Sequence, residues 1–310
     1  MNRPLIALCL LALPCCVHAE ASLPFTVEEM RNVFKTGRAS TALDIDNDSL
    51  LFRHDDGFYT SGLRLTQSFH LRRRDAVHVA GWRIGQQLYT ASDIKLAPEQ
   101  IPRPDRPYAG WIYGGMFMQI ADADGSEAAL GLDVGCLGPC AGGEGTQKFL
   151  HRILSQPQPR GWDSQIKNTL GLVLHAGGRG PRAMLGPNVD VRPGLSVRLG
   201  NIFTDMNGEA VVRAGQLQPS AKDHKLFGFL RGALRAVAYD ATLQGGMFSE
   251  RDGHTVKPKR LTHELELGLQ WQRRQAGLRL SVVRRSNEIR GLPASFGAQN
   301  FLRLAFSWSS

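Results

Sequence analysis

A histidine, a run of acidic residues, a strand threonine and a loop lysine are the side chains of this 310-residue sequence that could take part in hydrolysis. His151 lies in the stretch Gly138–Trp162, GPCAGGEGTQKFLHRILSQPQPRGW, where Phe149, Leu150, Ile153 and Leu154 recur at helical spacing and make one apolar face. Histidine titrates near neutral pH, so its unprotonated ring can act as a general base toward water; a lone helical histidine is also commonly structural. Asp44, Asp46 and Asp48 follow a D-x-D-x-D spacing with Asn47 inside it. Carboxylate and amide oxygens are the ligands that hard cations take. The run is not an EF-hand loop, because Ser49 and Asp55 stand where Gly and Glu are required. Strand alternation would also split the run between two faces, and a polar strand end at a rim is the alternative reading. Thr60 opens an alternating strand after Gly57-Phe58-Tyr59, while Lys95 and the run Asp105–Trp111 (DRPYAGW) read alone as loops entering strands.

The elements that must position these residues are strands. Leu265, Leu267, Leu269 and Trp271 alternate with Glu264, Glu266, Gly268 and Gln270, and Leu302, Leu304, Phe306 and Trp308 alternate with Arg303, Ala305 and Ser307. Similar patterns run through Leu63–His70, Leu130–Val134, Leu170–Leu174 and Leu278–Val282. A soluble sandwich also alternates, but its inward face must be dry. Here one face carries Glu264, Glu266, Arg279 and Arg303 while the other is leucine-rich with aromatic ends, which suits a lipid-facing exterior and a polar lumen. At roughly 24 residues per strand and turn, the chain is expected to be an all-β transmembrane antiparallel barrel of about 12 strands, with one short helix in an extracellular loop. No later stretch holds the 18 or so apolar residues of a membrane helix.

Residues 1–19 read as a secretory signal: Arg3, an apolar Leu5–Leu13, and Val17-His18-Ala19 before the expected cleavage. Residues 20–310 then form a single domain without linker or repeat, exported to the outer membrane. The formal net charge is +9, with basic blocks at Arg72-Arg73-Arg74, Lys257–Arg260, Arg273-Arg274 and Arg284-Arg285. Solvated loops and strand ends are one reading of these blocks, and contact with lipopolysaccharide phosphates is the other. No aromatic-interleaved basic motif for nucleic acid is present. Cys136 and Cys140, four apart, are expected to form a local disulfide in an oxidising compartment, with two free thiols as the alternative; further ligands for a metal are missing.

The order of these pieces, ND…YT.G…K…DRPYAGW…GP…GE..Q...H…GW..Q..N, resembles the outer-membrane lipid A 3′-O-deacylase family, in recognisable motifs from about Asp44 to Asn168. The resemblance implies a 12-stranded barrel with its site between the barrel wall and a loop helix. It implies calcium as cofactor, lipid A of the outer leaflet as partner and a monomeric membrane-embedded chain. Asn47, Asp48, Thr60 and His151 fall on the family's catalytic positions, with Asn47 and Asp48 at the metal and Lys95 at the substrate. Asp48 could instead orient the base. The implied chemistry is ester hydrolysis: His151 activates water, and a cation polarises the carbonyl. One departure is Pro157, six residues after the histidine, where the family's best-known member is acidic; Glu144, main-chain carbonyls or water would have to replace that ligand. Two readings of other kinds are a non-enzymatic barrel, either a small porin or a lipopolysaccharide-binding structural protein, and a phospholipase of the same compartment.

Overall fold

The computed structural model describes residues 25–51, 57–218, 224–247, 254–293 and 295–310. The expected signal segment and Asp55 lie outside them. After helix α1 (Val27–Thr36), the strands are β1 (Arg38–Asn47), β2 (Phe58–Arg73), β3 (Ala76–Thr90), β4 (Ala109–Asp122), β5 (Glu127–Leu137), β6 (Thr169–Arg179), β7 (Ala183–Gly186), β8 (Val189–Gly200), β9 (Phe203–Gln216), β10 (His224–Asp240), β11 (Leu261–Arg273), β12 (Ala276–Arg285) and β13 (Gln299–Ser309). Each pairs antiparallel with its sequence neighbour, except that the four-residue β7 pairs only with β8 and the ring passes directly from β6 to β8. The remaining join is β1 with β13, in a register that sets Asn47 opposite Leu302 and Thr41 opposite Trp308. The result is a closed barrel of twelve strands, as the alternation implied. Among the described residues no helix is long and apolar enough to cross a membrane.

The two faces separate as the sequence pattern requires. Leu63, Ile84, Leu132, Leu172 and Leu267 are exposed on the outer wall, where hydrocarbon rather than water covers them. The lumen is laced with ion pairs. Arg303 reaches Asp46 (2.9 Å) and Glu266 (3.0 Å), and Arg231 reaches Glu209 (2.7 Å) and Glu264 (2.6 Å). Glu266, only 1 % exposed, also accepts from Arg279 and Ser281, both at 2.8 Å. Buried charge is tolerated when it is paired in this way. A cavity of about 430 Å³ remains between these groups, lined by Tyr59, Tyr89, Arg106 and Glu288 among others. Asp44 and Asp46 therefore do not form a cation loop: Asp44 holds Arg64 at 3.0 Å and Asp46 holds Arg303.

Short turns such as Arg74-Asp75 close one end, and the long connections after β1, β3, β5, β10 and β12 leave from the other. In outer-membrane barrels the long-loop end is extracellular and the short-turn end periplasmic. This divides the basic blocks. Arg72–Arg74 and Arg273-Arg274 sit at the short-turn end, Lys257–Arg260 at the long-loop end, and Arg285 is in the lumen, bound to Glu264 at 2.9 Å.

Candidate active site

At the long-loop end of β2 and β3 the ladder slips by one residue. Tyr59 pairs with Tyr89 and Ser61 with Leu88, so Thr60 is the extra residue of a β-bulge, a device that re-aims side chains. Tyr59 and Tyr89 line the lumen, and on the opposite face the Thr60 and Thr90 hydroxyls share a buried hydrogen bond of 2.8 Å. Beside them β1 ends. The Asn47 amide oxygen accepts from the Ser49 hydroxyl (2.5 Å) and the Leu50 N–H (3.2 Å), and so caps the turn Ser49–Leu51. Asp48 donates its N–H to the Thr60 carbonyl at 3.3 Å, and its buried carboxylate accepts from Gly57 N–H at 3.0 Å. Asn47, Asp48 and Thr60 thus meet at one rim, on the outward side of the wall.

His151 is carried by helix α2 (Gly143–Ile153), which packs on β3 and β4. Two glycines permit that seat. Gly138 leaves β5 with φ +99°, and a side chain on Gly143 would meet Trp162 at 2.7 Å and Leu88 at 2.9 Å. Leu88 shares the outward face of β3 with exposed Ile84, so α2 lies against the outside of the barrel. The Cys136–Cys140 disulfide ties the end of β5 to the turn Pro139–Ala141 just before the helix. The helix is turned opposite to a soluble helix: Gly143, Gln147 and His151 are buried, whereas Phe149, Leu150, Ile153 and Leu154 are exposed. An apolar stripe pointing away from its own protein fits a helix whose other neighbour is lipid.

The orientation of the histidine ring follows from one hydrogen bond. His151 Nδ1 lies 2.6 Å from the carbonyl oxygen of Pro157, and a carbonyl can only accept. Nδ1 therefore carries the proton, and Nε2 is the acceptor nitrogen of the neutral ring. The position expected to lack an acidic ligand supplies a main-chain oxygen that sets the tautomer, a role carboxylates and carbonyls share. Glu144, offered as a replacement ligand, instead pairs with Lys148 on its own helix at 2.5 Å.

Lys95 is exposed, and its ammonium has no ion-pair partner among the described residues. Its loop is nevertheless fixed beside the histidine segment, because Ile94 accepts from Arg160 N–H at 2.9 Å, three residues past Pro157. The DRPYAGW run proves to be scaffold. Buried Asp105 accepts from the Ser92 N–H (3.1 Å) and hydroxyl (2.7 Å), anchoring the Lys95 loop. Arg106 binds Glu288 (2.6 Å) and Thr242 (2.9 Å), and Tyr108 packs edge-on to Trp162 at 5.2 Å. Gln147, one turn before His151, was visible in the Q-x-x-x-H spacing but not singled out. Its Oε1 accepts from Trp162 Nε1 at 2.8 Å, while its buried Nε2 has no hydrogen-bond partner among the described residues, a donor available to a substrate oxygen.

Asp48 and Asn47 offer carboxylate and amide oxygens, which suit a hard cation in kind. They are few in charge: among the described residues no group of three His, Cys, Asp or Glu gathers as a metal site. Asp48 and Asn47 are the side chains that could hold such a cation, with one carboxylate between them.

The profile of the family described as "Outer membrane protein LpxR" matches residues 5–309. Among solved structures, LpxR from Salmonella typhimurium superposes with a TM-score of 0.71 at 23% identity, over 87% of this chain and 99% of that one. The β domain of the Bordetella autotransporter BrkA (0.49, 11% identity, 88% and 98%) and the translocator domain of the autotransporter NalP from Neisseria meningitidis (0.46, 11%, 91% and 93%) match more distantly. No curated protein matches in sequence. With nearly its whole length matched, this outer-membrane barrel belongs to the LpxR family.

Proposed function

We propose that the protein is a carboxylic ester hydrolase of the outer membrane that removes the 3′-O-linked acyl or acyloxyacyl group of lipid A. The observation that carries this reading is His151: a buried histidine, its tautomer set by the Pro157 carbonyl, on a helix whose apolar side faces the bilayer. A substrate held in the outer leaflet can reach such a site sideways, without entering the lumen.

In the proposed reaction His151 Nε2 takes a proton from water as the oxygen attacks the ester carbonyl carbon. The tetrahedral intermediate collapses, the carbon–oxygen bond to the sugar breaks, and the departing alkoxide recovers the proton from His151. Asp48 and Thr60 form the polar wall beside the reacting carbonyl, and Lys95 meets a lipid A phosphate. Calcium, when bound, would be held by Asp48 and Asn47 and would supply charge stabilisation to the carbonyl oxygen. A passive pore is less well supported, because Arg106, from the connection after β3, binds Glu288 and Thr242, from the connections after β12 and β10 on the other side of the ring.

The test is the mass of lipid A from cells carrying the wild-type protein or His151→Gln. Wild-type cells should show lipid A lighter by one acyl or acyloxyacyl group; the variant should fold and lose at least about a hundredfold in rate. Undiminished conversion in His151→Gln would sink the assignment. Phospholipid offered in the same assay, with and without calcium, separates this reading from a phospholipase.

A further inference from the structure

Helix α1 lies outside the barrel at the end opposite the site. Phe25, Met30, Val33 and Phe34 pack on Phe69, Leu71, Ala80 and Met118. Those wall residues share outward strand faces with exposed Leu63, Ile84 and Met116, yet Ala80 is 0 % exposed because the helix covers it. Ala80 is two residues nearer the short-turn end than Trp82, an exposed aromatic of the kind found where hydrocarbon gives way to headgroups. The helix therefore sits at headgroup depth in the periplasmic leaflet.

Its two flanks differ. Glu29 pairs with Arg73 (3.2 Å) and His78 (2.9 Å), so that flank faces the short turns. At 100° per residue the opposite flank carries Val27, Arg31, Phe34 and Lys35, the stripe i, i+4, i+7, i+8. Val27, Arg31 and Lys35 are exposed; Glu28, also exposed, is the acid nearest this stripe, and neither cation has an ion-pair partner among the described residues. Long basic side chains over apolar neighbours are how interfacial helices hold lipid phosphates.

We propose that α1 is a binding site for anionic glycerophospholipid in the periplasmic leaflet. Arg31 and Lys35 take the phosphodiester, while exposed Val27 sits among the first methylenes of the acyl chains. This does not depend on the proposed enzymatic activity.

The full barrel, reconstituted in nanodiscs of phosphatidylcholine with increasing phosphatidylglycerol, tests it by native mass spectrometry. Wild type should retain phosphatidylglycerol on the order of tenfold more strongly than Arg31→Gln/Lys35→Gln. The control pair Arg273→Gln/Arg274→Gln, at another short turn, should behave as wild type. Equal retention by wild type and the α1 variant, or equal loss in both variants, would overturn the proposal. Independently, a fluorophore on Val27→Cys should be quenched by shallow brominated acyl chains; an unquenched label would also overturn it.

Discussion

Gln147 shows how a single amide joins scaffold and site. Its oxygen holds the Trp162 indole N–H, and that indole is a wall against which Gly143 and Tyr108 pack. Gln147→Leu keeps the volume but leaves a buried indole N–H without an acceptor. We expect a loss of about 1–3 kcal/mol, read as a lower midpoint of heat-induced unfolding in detergent. Glu288 offers a second measurement at the same scale. Burial pushes its carboxyl up, but the Arg106 and Arg285 guanidiniums outweigh that and hold it at about 2, against an ordinary 4.5. A depressed folded value means that this stabilisation is complete above about 4.5 and is lost as pH falls toward 2. Thermal midpoints measured from pH 6 to pH 2.5 should fall in that window for wild type and fall less for Glu288→Gln.

At the scale of the element, the outward apolar stripe of α2 should matter only when the substrate is in a membrane. Ile153→Asp/Leu154→Asp is expected to lower deacylation in whole cells by about tenfold while leaving detergent-dispersed lipid A nearly unaffected, measured by product mass in both settings. This element also marks the limit of what the residues disclosed. The 3.6-residue period of Phe149, Leu150, Ile153 and Leu154 identified a helix with one apolar face. It could not say which way that face turns, because lipid and protein interior reward the same surface. Asn47, Asp48, Thr60 and His151 were legible as residue types in order. The bulge at Thr60 was not, since a one-residue slip leaves no mark on composition. The Pro157 contact was equally hidden: a main-chain carbonyl is available at every position, so only the fold reveals which one a histidine meets. Helix α1, ten residues between a leader-like segment and the first alternating strand, is too short for its period to stand out.

For the whole molecule, alternation disclosed most of the architecture, because each outward leucine and inward charge, such as Leu265 and Glu266, answers to a different solvent. The energetic weight lies in how the inward charges are matched. Glu266 receives Arg279, Ser281 and Arg303 together. Glu266→Ala would leave Arg279 without its carboxylate and Arg303 with Asp46 alone, and should cost about 3–5 kcal/mol, measured by urea unfolding in detergent micelles. The paired alternative, Glu266→Gln with Arg279→Met, should recover part of that loss.

The join between β1 and β13 has a consequence for timing. Asn47 and Asp48 hang from the end of the first strand, whose flank is completed by the thirteenth. Until those two meet, the rim that holds the proposed catalytic side chains has one open edge and no fixed shape. A polypeptide still crossing the periplasm would therefore be inert toward the lipids it passes. Competence would arrive only with the last pairing, at the membrane where the intended ester resides.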